Sequence, residues 1–234
     1  MPDHQPLPVV ILACKVFQNL IEQYIPAQVA REFIFLDYGL HRVPKNLRIG
    51  IQERIDAIQE PSLILLGYGL CGNGLDGIRA GIHTLVIPRT DDCIAILLGS
   101  YAAYRREFDE SPGTYYLTKG WLESGSNPLK EYEEYVVKYG AAKADWLIDS
   151  LYHNYRRLAF VAHQQRDIEL YREAALRVAE FSSRWNIQYQ EILGSDQYVR
   201  KLGNQAGGID PDDEDFLIIR PGGVLTQHDF LRIL

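Results

Sequence analysis

The sequence predicts an α/β fold: a mostly parallel sheet with helices on both faces. Three observations carry that prediction. Continuous apolar runs such as Leu63-Ile64-Leu65-Leu66 lack the alternation of half-exposed strands, as strands buried on both faces do. These runs alternate along the chain with segments of helical period. Prolines and glycines, as at Pro26, Pro61 and Gly67, mark the changeovers.

Val9 to Ala13 is the first expected strand, followed by apolar positions Val16, Phe17, Leu20, Ile21 and Tyr24 at helical spacing, stopped by Pro26. Phe33 to Asp37 reads as the second strand. Leu47, Ile51, Ile55 and Ile58 form one stripe of a helix ending before Pro61. After the strand at Leu63 to Leu66, Asp76 to Ile82 has room for about two helical turns. Thr84 to Arg89 reads as a strand. A helix then runs from Asp91 to Arg106, with Asp91 or Asp92 capping its start.

A new section opens near residue 110. Gly113 to Thr118 alternates like a strand, and Gly120-Trp121 closes it. Pro128 starts a helix over about 129–139, and 141–157 reads as another. Leu158 to Val161 is a strand, 167–185 an amphipathic helix, and 187–193 a further strand. Lys201 to Asp215 is polar and glycine-bearing, before a short strand at Phe216 to Ile219. The expected organisation is one α/β domain over 1–195, which allows two Rossmann-like lobes at 1–110 and 111–195. Residues 196–234 would add a C-terminal loop and short strand packed on it.

Composition narrows the function. The 234 residues are 47% hydrophobic and 24% charged, ordinary values for a globular protein with an ample core. No apolar run is long enough for a membrane span, and the first residues lack the basic stretch of a signal peptide. A net charge of −7 argues against nucleic-acid binding. Three cysteines, an odd number, are a poor disulfide framework, so a cytoplasmic location is expected. The expected partners are small-molecule ligands or proteins.

All three cysteines follow strands: Cys14, Cys71 and Cys93. Ligands of open parallel sheets bind beyond the carboxyl ends of the strands, so these thiols are expected to converge. Three thiolates would hold zinc with one position open, or an iron–sulfur cluster with one iron free. Their spacing matches neither a zinc ribbon nor a ferredoxin run, and a free cysteine is otherwise a small buried hydrophobe. Gly69, Gly72 and Gly74 surround Cys71, where backbone freed of Cβ atoms can aim N–H groups at a cofactor or anion. Arg89, Asp92, Lys15 and Tyr68 flank the cysteines and could orient ligands or a substrate.

Other patterns are weaker. Gly72 to Gly77 matches Gly-x-Gly-x-x-Gly with Asp91 about 20 residues on, but too short a segment follows for the crossover helix of a dinucleotide site. Gly69-Leu70-Cys71-Gly72-Asn73 approaches a nucleophile elbow, making Cys71 a candidate thiol for hydrolase or amidotransferase chemistry with His153 or His163 as base. His83, beside a strand, reads as a packed histidine. Tyr152-His153-Asn154-Tyr155 could bring polar groups from the second half, or simply flank a helix.

The segments Leu12-Ala13-Cys14, Gly67 to Gly74, Pro88 to Cys93, Leu98-Gly99-Ser100, Pro112 to Tyr116 and Gly120-Trp121 together resemble domain-of-unknown-function family sixteen thirty-eight over most of residues 8 to 185. Its members are uncharacterised proteins of anaerobes and some phototrophs, in methanogens sometimes encoded beside corrinoid methyltransferases. The resemblance implies a link to one-carbon or thiol chemistry and includes the three cysteine positions. The tail after about residue 195 lies outside it.

The leading expectation is therefore a metalloprotein whose Cys14, Cys71 and Cys93 bind zinc or an iron–sulfur cluster. Arg89 or Asp92 would lie nearby, and His153 or Tyr152 would close the pocket. The alternatives are a non-catalytic module binding an anion or sensing redox state, and a Cys71 thiol enzyme.

Overall fold

The computed structural model describes residues 7–232, and the chain divides into two compact units, Met1–Tyr101 with Asp196–Leu234 and Ala102–Ser195. The fold is α/β, with each sheet flanked by helices. No helix among the described residues is long and apolar enough to cross a membrane.

The first unit holds strands β1 (Val9–Cys14), β2 (Glu32–Leu36), β3 (Leu63–Gly67), β4 (Thr84–Pro88) and β8 (Phe216–Ile219) in the order β2-β1-β3-β4-β8. The pairings among the first four strands are parallel, and β8 joins β4 antiparallel. Burial explains the apolar runs: β1, β3 and β4 occupy the middle, and Ile11, Leu12, Ile64 and Leu65 have no exposed surface. Removing each of these side chains from water contributes about 1.5–3 kcal/mol. At the edge, β2 keeps an exposed Glu32 and three half-buried residues.

Helices α1 (Gln18–Tyr24) and α2 (Pro44–Ala57) carry the expected stripes inward, at Leu20 and Ile21 and at Leu47, Ile51 and Ile55. Proline fits the start of α2 because the first helical N–H has no partner to lose. The expected helix from Asp91 is interrupted: α3 (Ile94–Leu98) stops at Gly99, whose φ of 89° turns the backbone left-handed, and α4 (Tyr101–Glu110) follows. Residues 76–82 form turns rather than helix, since Gly77 and Gly81 both take positive φ within that short span.

The second unit pairs β5 (Thr114–Thr118), β6 (Arg157–Ala162) and β7 (Gln188–Leu193) in a parallel sheet of order β5-β6-β7. Helices α5 (Lys119–Ser124), α6 (Pro128–Tyr139), α7 (Ala141–Tyr152) and α8 (Gln165–Ser182) connect them. Leu117, Leu158 and Phe160 from the sheet pack against Ile168, Ala175 and Val178 of α8.

The C-terminal segment is richer than a loop and strand. It contains α9 (Gln197–Asn204), which buries Tyr198, Val199 and Leu202, and the edge strand β8. Its later part zips onto residues 77–81: Gly77 N–H donates to the Leu225 carbonyl at 2.8 Å, Leu225 N–H to Ile78 at 2.8 Å, and Ala80 N–H to Gly223 at 3.0 Å.

Candidate functional site

The strand order of the first unit contains a reversal. From β1 the chain moves outward to β2, then returns to the opposite side of β1 for β3. The carboxyl ends of β1 and β3 therefore flank a topological switch point, where open α/β sheets form their ligand crevices. Cys14 ends β1, and Tyr68 immediately follows Gly67 at the end of β3. Cys71 and Cys93 lie on the loops after β3 and β4, so the three thiols follow three adjacent strands.

The loop after β3 is clamped to the loop after β4. Leu70 N–H donates to the Thr90 carbonyl and Cys71 N–H to the Asp91 carbonyl, both at 2.9 Å. Contact this close excludes a side chain at residue 69, where a Cβ would stand 2.7 Å from the Asp92 carbonyl oxygen and 2.9 Å from that of Thr90. Cys71, Gly72 and Asn73 then take φ of 49°, 62° and 68°, one left-handed turn. Such a conformation costs an ordinary residue about 1–2 kcal/mol, and surroundings that overrule the cost are typical of functional sites. Gly74 sits against Leu47. Gly69 and Gly74 thus serve close packing, and Gly72 serves the turn.

The sulfur of Cys71, on a partly exposed residue, receives the backbone N–H groups of Gly69 and Cys93. Burial still dominates: it pushes all three thiols up, Cys14 to about 12, and neighbouring groups add to the effect. Asp92 and Cys14 oppose ionisation of Cys71; Cys71, Asp92 and Cys14 oppose that of Cys93; Asp37 opposes that of Cys14. All three are neutral thiols at pH 7. Asp92 is itself raised to about 6 by burial, although its Oδ1 accepts the Ile94 N–H at 2.8 Å.

Two further polar groups belong here. Tyr68 has no exposed surface, its hydroxyl has no hydrogen-bond partner among the described residues, and its ionisation is opposed first by burial and then by Cys14 and Cys71. His41, in the turn Tyr38–Arg42 after β2, stacks on the Tyr68 ring with centroids 6.0 Å apart and planes at 26°. Its Nε2 is buried and has no partner among the described residues, and burial lowers its pKa, leaving the ring neutral. A buried polar atom without a partner loses about 1–3 kcal/mol relative to one that is satisfied.

This arrangement overturns the metal-centre expectation. Among the described residues no group of three or more His, Cys, Asp or Glu side chains is placed to hold a metal ion. The physical reason is that the cysteines are dispersed over the ends of three separate strands and their loops and do not come together as a ligand set. The carboxyl groups of Asp92 and Asp37 set a negative field around the thiols.

Other residues singled out in the sequence have structural engagements. Arg89 faces the C-terminal segment, donating to the Leu231 carbonyl, while Arg232 donates to the Arg89 carbonyl at 3.1 Å. Lys15 lies over the Tyr38 ring at 5.9 Å. His83 is a packed histidine, 2% exposed. In the second unit, His153 is exposed and its Nδ1–H meets the Asp149 carbonyl at 2.7 Å; the Tyr152 hydroxyl donates to Glu131 at 2.8 Å. His163 follows β6 in that unit. No helix opens after Gly72 to Gly77; instead Asp76 accepts the Gln227 N–H at 2.9 Å. Sequence reasoning missed His41. It follows β2 much as the cysteines follow β1, β3 and β4, and that position was the available signal.

No curated protein and no solved structure matches the chain. A family model does, over residues 35–202, which takes in β3, β4 and the loops bearing Tyr68, Cys71 and Cys93. The chain belongs to the family described as protein of unknown function (DUF1638).

Proposed function

We propose that the first unit is a small-molecule binding module whose site lies at the switch point between β1 and β3. The observation that carries this reading is the Tyr68 hydroxyl, buried without a partner among the described residues beside Cys14 and Cys71, and backed by His41, whose Nε2 likewise has none among them. Native proteins leave few such atoms, and a polar ligand is the simplest partner for both. Phenol and neutral imidazole supply one firm donor and a group that donates or accepts according to its tautomer, while thiols add soft, weakly polar walls. The negative field of Asp37 and Asp92 favours a neutral or cationic ligand over an anion.

A thermal-shift screen of small polar amines, amides and alcohols against the full chain and Tyr68→Phe tests this reading. Compounds that bind the folded state raise its midpoint by mass action. The expected hits are neutral or cationic and lose their effect in the variant. Hits confined to anions, or shifting both proteins equally, would contradict the reading.

A further inference from the structure

Helix α9 meets the end of α1 at Gly203, where a Cβ would stand 2.9 Å from Ile25 Cγ1. Beside that contact lies a groove of about 420 Å³, with Tyr24, Ile25 and Val29 on one side and Arg200 and Asn204 of α9 on the other. Its volume falls in the ~300–1,000 Å³ range of small-molecule sites. Past Asn204 it continues into a second hollow of about 380 Å³ beside Gly207, whose missing side chain leaves open space. Arg200 and Asn204 are one helical turn apart and so share a face. The Arg200 guanidinium lies over the Tyr24 ring, 4.1 Å from its centroid, and its Nε donates to Asp196 Oδ2 at 3.0 Å. Ring and carboxylate together fix the guanidinium at the groove, yet its two terminal nitrogens have no acceptor among the described residues. The Asn204 carboxamide has no partner among them either. The Arg200 side chain is 54% exposed, so a solute reaches it directly. The lining holds one cation and no carboxylate.

We propose that this groove binds a small aromatic monocarboxylate, at a site that shares no residue with the one at Tyr68. The two oxygens of a carboxylate match the two terminal nitrogens of a guanidinium, which present parallel N–H donors in one plane. Asp196 occupies Nε alone and leaves that pair free. An arginine already stacked and paired loses little side-chain freedom when a ligand arrives, so less of the contact is spent on ordering it. The flat body of the acid covers Ile25 and Val29, and the Asn204 carboxamide, one turn further along α9, donates to the rim of the ligand. A phosphate, with nearly two charges and three acceptor oxygens, would meet only one cation and an apolar floor. Acetate would make the ion pair and leave the floor uncovered. The single charge and the apolar floor together therefore select a monocarboxylate with a ring.

The test titrates the isotopically labelled full chain with benzoate, benzamide, acetate and inorganic phosphate, and follows backbone and side-chain amide signals by nuclear magnetic resonance. Benzoate should give saturable shifts at the Arg200 Nε–H, the Asn204 carboxamide and the Gly203 backbone. Benzamide, of the same shape without the charge, should bind at least tenfold more weakly, as should acetate and phosphate. Arg200→Gln should weaken benzoate by about tenfold or more, the loss of a charged hydrogen-bonded pair near 1.4 kcal/mol or above. Tyr68→Phe should leave benzoate binding unchanged, which separates this site from the switch point. Should Arg200→Gln fail to fold, the comparison of benzoate with benzamide on wild type still decides. Benzoate shifts that do not saturate or that map away from α9, equal binding of benzamide, acetate or phosphate, or an Arg200→Gln affinity equal to wild type would each overturn the proposal.

Discussion

Cys71 donates its backbone N–H to the Asp91 carbonyl at 2.9 Å, fixing the loop after β3 to the loop after β4. Two elements that meet beyond the sheet are thereby held as one surface. The contact leaves no volume at residue 69, because the atoms a Cβ would strike are backbone oxygens that cannot rotate away.

Gly69→Ala should therefore destabilise the first unit by about 1–3 kcal/mol, the usual cost of overpacking a rigid site. Chemical denaturation of the variant beside wild type measures it. An unchanged midpoint would mean that the two loops separate readily.

The left-handed backbone of Cys71 can be isolated from its thiol. Cys71→Ala and Cys71→Gly both remove the sulfur, but alanine retains the conformational penalty of φ 49° and glycine does not. After the greater chain entropy of unfolded glycine is allowed for, the glycine variant should be the more stable by about 0.5–1 kcal/mol. Thermal or urea unfolding of the pair gives the difference, and the reverse order would show that the turn is unstrained.

Asp92 and His83 predict opposite slopes of stability with pH. The Asp92 carboxyl is raised from 3.8 to about 6, so the folded state holds its proton more tightly and stability falls as pH rises across that window, by on the order of 2–3 kcal/mol. Asp92→Asn should abolish this slope while keeping an oxygen for the Ile94 N–H. His83 is lowered below 6.5 by burial, so its contribution is intact above that pH and is lost as pH falls through 6.5 toward the folded value. Denaturation midpoints of Asp92→Asn and His83→Gln from pH 4 to pH 8 separate the two effects. A slope that survives both substitutions would place its origin elsewhere.

Arg89 tests the boundary between site and scaffold. Its guanidinium meets Leu231, its carbonyl accepts from Arg232, and Arg232 lies over the Tyr101 ring at 4.2 Å and pairs with Asp215 at 3.3 Å. Arg89→Ala should lower stability by about 1–2 kcal/mol and speed proteolysis of the last residues, without changing ligand response at Tyr68. Loss of ligand response at unchanged stability would return Arg89 to the site.

Most of the fold was legible because its signals are local. The apolar runs of β1, β3 and β4 and the stripes of α2 and α8 are consequences of burial written at one period. The break at Gly99 was missed because its apolar flanks continue a helical pattern across a residue whose φ only the structure reveals. Helix α9 was passed over because a polar, glycine-bearing stretch conceals the three residues it buries. At the site, three thiols at three strand ends suggested a metal, yet among the described residues no group is placed to hold one. The deciding quantity was where the side chains stand in three dimensions, which depends on how distant segments pack. His41 carried no neighbouring motif and became visible only through its stacking on Tyr68.

The account rests on the proposed ligand site at the switch point beside Tyr68, and nuclear magnetic resonance mapping of ligand hits on the labelled full chain tests it most directly. Amine, amide and alcohol hits should perturb the Tyr68 and His41 ring signals and the backbone signals of Cys14 and Cys71, and Tyr68→Phe should weaken them about tenfold, the loss of one hydrogen bond near 1.4 kcal/mol. A library in which no compound moves those signals, or whose hits map away from the ends of β1 and β3, would contradict it.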